Sequence, residues 1–194
     1  MKIKRLNQIK PLLFSVKDLA EALRISQASA KLTCHRYACE GIFLRLKRGL
    51  YILAENWKKL EETDKFQVAN RLQVPSYISF TTALSYYGVT TQITREFYES
   101  TALVRTAGFE IKDSVFQYRK FQKKLYFGFV KKEDFFIATP EKALCDALYL
   151  ASFSRYRLDM SAIDRGKLNF KKLEKISKPF PEKTRITLRK IWKL

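Results

Sequence analysis

Acidic charge is scarce in this chain: 19 Asp and Glu stand against 38 Lys and Arg in 194 residues, a formal net charge of +19. Histidine occurs once and cysteine three times. Three cysteines at irregular positions argue against a disulfide framework, so the thiols read as reduced packing residues. Cys34 and Cys39 have no second Cys/His pair to complete a zinc site, which argues against a bound metal. No stretch approaches the roughly 20 uninterrupted apolar residues of a membrane span, and the opening MKIKRLNQIKPLLF lacks the apolar run of a signal peptide. The expected setting is the cytoplasm, with no membrane partner. The residue patterns of catalysis are missing too: no paired carboxylates, no nucleophile beside its base, no glycine-rich phosphate loop. The expectation is a protein that is not an enzyme and uses no cofactor.

What is present is apolar material for real cores, 46% hydrophobic residues and 14% aromatics, together with an uneven distribution of charge. Residues 1–60 hold 13 Lys/Arg against 4 Asp/Glu, residues 61–164 hold 14 against 13, and residues 165–194 hold 11 against 2. Both ends are therefore strongly basic around a nearly neutral middle, a pattern that points to a polyanionic partner.

The N-terminal sixty residues read as helices followed by a hairpin. Ile3, Leu6 and Ile9 mark a short first helix that stops at Pro11. Ser15 stands three before Asp18 in the arrangement of a capping box, opening a helix over Val16 to Leu23. Ser26 caps a third helix whose Ala30, Thr33, Cys34, Tyr37 and Ala38 recur at the spacing of a buried face and which ends at Gly41. FLRLKRGLYIL (residues 43–53) then predicts two strands with Lys47, Arg48 and Gly49 at the tip. This order is that of a winged helix-turn-helix, in which the third helix enters the major groove of double-stranded DNA and the hairpin tip meets phosphate. Removing the buried face leaves Gln27, Ser29, Lys31, Leu32, His35 and Arg36 outward. Of these, Gln27, Ser29, Lys31, His35 and Arg36, with Lys47 and Arg48, are the expected DNA-binding residues: Gln and Arg read purine edges, and Ser, Lys and His bond bases or phosphates. His35 belongs with this outer set because no acid or nucleophile is identifiable as its partner.

Beyond residue 60 the texture changes. A helix capped by Thr63 ends before Pro75, and YISFTTALSYYGV gives an extended entry, a helix from Ser79 and a stop at Gly88. FYESTALVRT, VFQYRKFQ, LYFGFV and FFIAT read as closely spaced strands of an antiparallel sheet, separated by Ala107-Gly108, residues 122–124 and KKED. Thr139 and Pro140 open an apolar helix that covers the sheet, and basic helices over Asn169 to Ser177 and Pro181 to Lys193 close the chain. The expected fold class is α+β: a winged helix over residues 1–60, then a mixed domain over residues 61–194.

Three stretches together, KRGLY (Lys47 to Tyr51), YISFTTALSYYG (Tyr77 to Gly88) and TPEKALCDALY (Thr139 to Tyr149), resemble the AbiE-type (AbiEi) antitoxins, transcriptional regulators of bacterial toxin–antitoxin and phage abortive-infection loci. The resemblance implies a winged helix that represses its own operon and a C-terminal domain that counteracts a nucleotidyltransferase toxin. Lys142 and Asp146, four apart on one helix, allow two readings: a half-buried ion pair that orients the helix, or part of the toxin-countering surface. Arg185, Arg189 and Lys190 offer a second cationic stripe, suited to accessory contact with DNA or to attraction of a toxin complex. The rival reading is a nuclease-like enzyme targeted by the winged helix. Its nearest metal ligands, Glu96 with Glu99 or Asp159 with Asp164, have spacings common by chance.

Overall fold

The computed structural model describes Ile9, residues 11–92 and residues 95–192. The first helix expected around Ile3 and Leu6, like Lys193 at the expected end of the last one, lies outside these residues. Among them are eight α-helices and two sheets, a mixed α+β chain that divides into two compact units, Met1–Asp64 and Lys65–Leu194.

In the first unit, helix α1 (Val16–Leu23) begins at the capping box: Ser15 Oγ accepts the Asp18 N–H at 3.2 Å and Asp18 Oδ2 accepts the Ser15 N–H at 2.6 Å. Helix α2 (Gln27–Cys39) is capped by Ser26, whose hydroxyl accepts the Ser29 N–H at 3.1 Å. Ala30, Cys34 and Tyr37 form one buried stripe on α2 and meet Leu19 and Ala20 of α1. Strands β1 (Phe43–Lys47) and β2 (Leu50–Leu53) pair antiparallel, with a bulge between Arg45 and Lys47 and Gly49 at φ +77° in the turn. Phe14 extends this sheet by exchanging two 2.9 Å backbone hydrogen bonds with Tyr51, and its ring packs 4.9 Å from that of Phe43. The short helix α3 (Ala54–Trp57) follows β2.

The second unit is built on a six-stranded sheet of order β5-β6-β4-β3-β8-β7: β3 (Ser76–Ile78), β4 (Phe97–Ala102), β5 (Ala107–Ile111), β6 (Ser114–Lys120), β7 (Phe129–Lys132) and β8 (Phe135–Ala138). The expected all-antiparallel sheet is corrected here, because β4 runs parallel to β6 and β3 parallel to β8. After β4 the chain travels out to the edge as β5, turns at Lys112 (φ +56°), and returns as β6 between them. Ala107-Gly108, expected as a separator, is the start of β5. Residues 131–132 of KKED belong to β7, and the turn is made at Glu133 (φ +42°).

Side chains alternate along β4. Tyr98 meets Phe66 of α4 (Glu62–Leu72) at 6.0 Å, while Glu99 and Thr101 point toward α5 (Phe80–Tyr86) and α6 (Pro140–Ser152). Thr63 is not the cap of α4 but lies in its first turn. Asp64 Oδ2 instead reaches back to the Glu61 N–H at 3.0 Å. Helices α7 (Phe170–Ser177) and α8 (Glu182–Trp192) pack on α6.

Candidate nucleic-acid interface

On α2 the exposed residues form two faces. Gln27, Lys31 and His35 recur every four residues and line up along the helix. Lys31, His35 and Cys39 form one wall of a groove of about 440 Å³, and Arg45, Arg48 and Tyr51 of the hairpin form the other. None of the residues that line it is acidic. His35 Nδ1 lies 3.5 Å from Cys39 Sγ, a contact within the same wall. Cations on two facing elements with no carboxylate lining the space between them leave a positive potential in the groove.

The structure brings together part of the expected set. Lys31, His35 and Arg48 line the groove. Gln27 continues the α2 stripe, and Ser29 is engaged in the helix cap, its Oγ 3.0 Å from Ser26 Oγ. Arg36 faces away from the groove: its Nε is 3.7 Å from Glu40, and its guanidinium lies 5.2 Å over the Tyr37 ring. Lys47 is half-buried opposite Leu50 and does not line the groove. Sequence reasoning missed Arg45. Burial along β1 departs from strict alternation, with Arg45 exposed and Leu46 buried, and a bulge lies between Arg45 and Lys47, so alternation read from Phe43 assigns Arg45 to the core face. Leu32, 73% exposed, also stands outward on α2.

Sequence spacing left the Lys142–Asp146 pair either half-buried or part of a toxin-countering surface; the pair is instead completely buried. Both residues are 0% exposed, so they present no surface to a partner. Lys142 Nζ bonds Asp146 Oδ1 and donates to Tyr77 Oη at 2.8 Å, with the rings of Phe127 and Phe180 each 5.2 Å away. Asp146 Oδ2 accepts hydroxyls from Ser79 at 2.7 Å, Tyr77 at 3.0 Å and Thr101 at 3.3 Å. Desolvation pushes the Asp146 carboxyl up from its usual range, against the pull of Lys142 and of the Ser79 and Tyr77 hydroxyls. Ser79, the residue before α5, gives its hydroxyl to Asp146 instead of capping the helix, and Phe80 beside it holds φ +56°. The network fastens α6 to β3, β4 and the start of α5.

The carboxylates of the rival metal reading are each occupied by the chain itself. Glu96 bonds Lys65 at 3.1 Å and also Ser114, and Glu99 accepts the Tyr156 hydroxyl at 2.7 Å. Asp159 accepts the Ser161 N–H at 2.9 Å and Asp164 the Gly166 N–H at 3.0 Å. Among the described residues no group of three or more His, Cys, Asp or Glu could hold a metal ion, and no helix is long and apolar enough to cross a membrane.

Burial raises Glu99, 5% exposed, from 4.5 to about 7. An acid with a raised folded-state value favours the folded state while protonated, so this contribution is complete below about pH 4.5 and is lost as pH climbs toward 7. Glu99→Gln keeps an acceptor for Tyr156 and should raise stability above pH 7 by about 3 kcal/mol, flattening that part of the pH–stability curve. Urea denaturation of both proteins across this range is the check; parallel curves would mean that Glu99 is not the group responsible.

Of the C-terminal candidates, Arg185 and Arg189 share a face of α8, one turn apart, while Lys190 is exposed elsewhere on the helix. The chain matches no protein-family model, no curated protein and no solved structure.

Proposed function

We propose that the chain is a sequence-specific binder of double-stranded DNA, a transcriptional regulator in which α1, α2 and the β1–β2 hairpin act as a winged helix. The observation that carries this reading is the groove in which Lys31, Arg45 and Arg48 face one another without a carboxylate. In it, the hairpin cations sit on phosphates while Gln27 and Leu32 face base edges, Leu32 against a thymine methyl. The resemblance to AbiE-type antitoxins supports autorepression of its own operon and assigns the second unit to countering a nucleotidyltransferase toxin. Because Lys142 and Asp146 are buried, that unit's contribution rests on residues other than this pair.

Incubation of the full chain with its own upstream DNA and Mg²⁺ tests the regulator against the nuclease-like rival. Protection without cleavage is the expected outcome, and nicking of the DNA selects the rival. The antitoxin half expects the full chain to restore growth to cells expressing a nucleotidyltransferase encoded beside it.

Gln27→Ala should cost on the order of 1–3 kcal/mol on the specific operator and far less on random duplex. Arg36→Ala, whose side chain is already held by Glu40 and Tyr37, should cost less. Competition binding with both DNAs separates the cases; equal losses for Gln27→Ala on operator and random DNA would place Gln27 on the backbone instead.

A further inference from the structure

The second unit carries a cleft of about 490 Å³ between α7 and α8, independent of the DNA-binding groove. Lys178, at the end of α7, and Arg185 and Arg189, on the facing side of α8, all line it. Arg185 Nε is buried without a hydrogen-bond partner. A guanidinium N–H removed from water and left unbonded is costly, and natural structures seldom keep one without use.

Backbone carbonyls at the end of α7 each accept a hydrogen bond from within the chain. The Glu174 carbonyl receives the Ser177 hydroxyl at 2.8 Å, the Lys175 carbonyl the Lys178 N–H at 3.4 Å, and the Ser177 carbonyl the Phe180 N–H at 3.0 Å. Glu174 is the one carboxylate lining the cleft, and none of the three cations forms a salt bridge with it. Three cations and one carboxylate leave two positive charges uncompensated at the mouth of a concave site. Leu188 and Phe170 supply apolar walls, and the Phe170 ring lies 6.3 Å from that of Trp192, tilted by 38°.

We propose that this cleft binds a phosphate monoester, held by Arg185 with Arg189 and Lys178. The charge fits, because a phosphate monoester carries about −1.5 to −2 at neutral pH, whereas a single carboxylate would leave a cation unmatched. The geometry also fits, since two arginines one turn apart present planar donors to tetrahedral oxygens. A flat duplex backbone has no reason to enter a concave cleft, while a terminal phosphate does.

The test is a titration of Trp192 fluorescence in the full-length Trp57→Phe protein at fixed ionic strength. Inorganic phosphate, adenosine 5′-monophosphate, adenosine, acetate and a single-stranded oligonucleotide with hydroxyl ends are the probes. Saturable binding of phosphate and the monophosphate is expected, without binding of adenosine or acetate. Arg185→Gln should weaken it by about tenfold or more. Arg189→Gln, at an exposed position, should weaken it as well and guards against misfolding of the first variant. Lys171→Gln with Lys172→Gln removes two cations of α7 that do not line the cleft and should change binding by less than about twofold. Absence of saturable phosphate binding, equal binding of acetate, or equal loss in the Lys171/Lys172 variant overturns the proposal. Arg185-dependent binding of the hydroxyl-ended oligonucleotide alone overturns it too, and returns the cleft to chain phosphates.

Discussion

Asp146→Ala is expected to lower the stability of the second unit by about 3–5 kcal/mol, the cost of leaving a buried ammonium without its counter-charge. Asp146 satisfies Lys142 and three hydroxyls at once, so its removal also strands the donors of Tyr77, Ser79 and Thr101. The aromatic rings around Lys142 offset only part of this, because a cation over a ring gains about 2 kcal/mol even when desolvated. Lys142→Ala should cost a similar amount by exposing the reverse problem, a carboxylate with no cation. Replacing both together, Lys142→Met with Asp146→Leu, should be milder than either single change, since an apolar pair of similar volume carries no desolvation cost. Urea denaturation followed through Trp192 in a Trp57→Phe background reports the second unit; the midpoint should fall with an unchanged slope. A loss under about 1 kcal/mol for Asp146→Ala would mean that water reaches the pair.

The triple variant Lys31→Gln, Arg45→Gln, Arg48→Gln is expected to weaken duplex binding on the order of 10³-fold at low salt, because each charge-assisted bond to phosphate contributes about 1.5–3 kcal/mol. All three side chains are exposed and make no contact on which the fold of the first unit depends, so stability should stay within about 0.5 kcal/mol of the parent. The loss should be nearly equal on operator and random DNA, in contrast to Gln27→Ala, because phosphate contacts carry no sequence information. Fluorescence anisotropy with labelled operator and random duplexes gives both numbers. Loss confined to the operator would mean that these cations read bases.

Local chemistry was the legible part of the chain. Ser15 with Asp18, Ser26, Thr139 with Pro140, and Gly49 at the hairpin tip each act within a few residues of themselves, and each occupies the position that its chemistry indicates. The buried stripe Ala30, Cys34 and Tyr37 followed from helical period. What depends on distant partners was not legible. The parallel pairing of β4 with β6 arises from a strand, β5, whose Ala-Gly start imitates a turn. Spacing placed Lys142 and Asp146 on one face, but their complete burial is set by Tyr77, Thr101, Phe127 and Phe180, which are remote in sequence. Arg45 was hidden by a strand whose burial departs from strict alternation, a break in period that no local residue pattern announced.

On the function proposed, the groove between α2 and the hairpin holds DNA by its phosphates. The most direct test is the slope of log affinity against log salt, measured for the parent and the triple variant on one duplex between about 50 and 200 mM salt. Each phosphate contact releases close to one counterion, so the triple variant should have a slope shallower by about 2–3 units. Parallel lines for the two proteins would contradict the account.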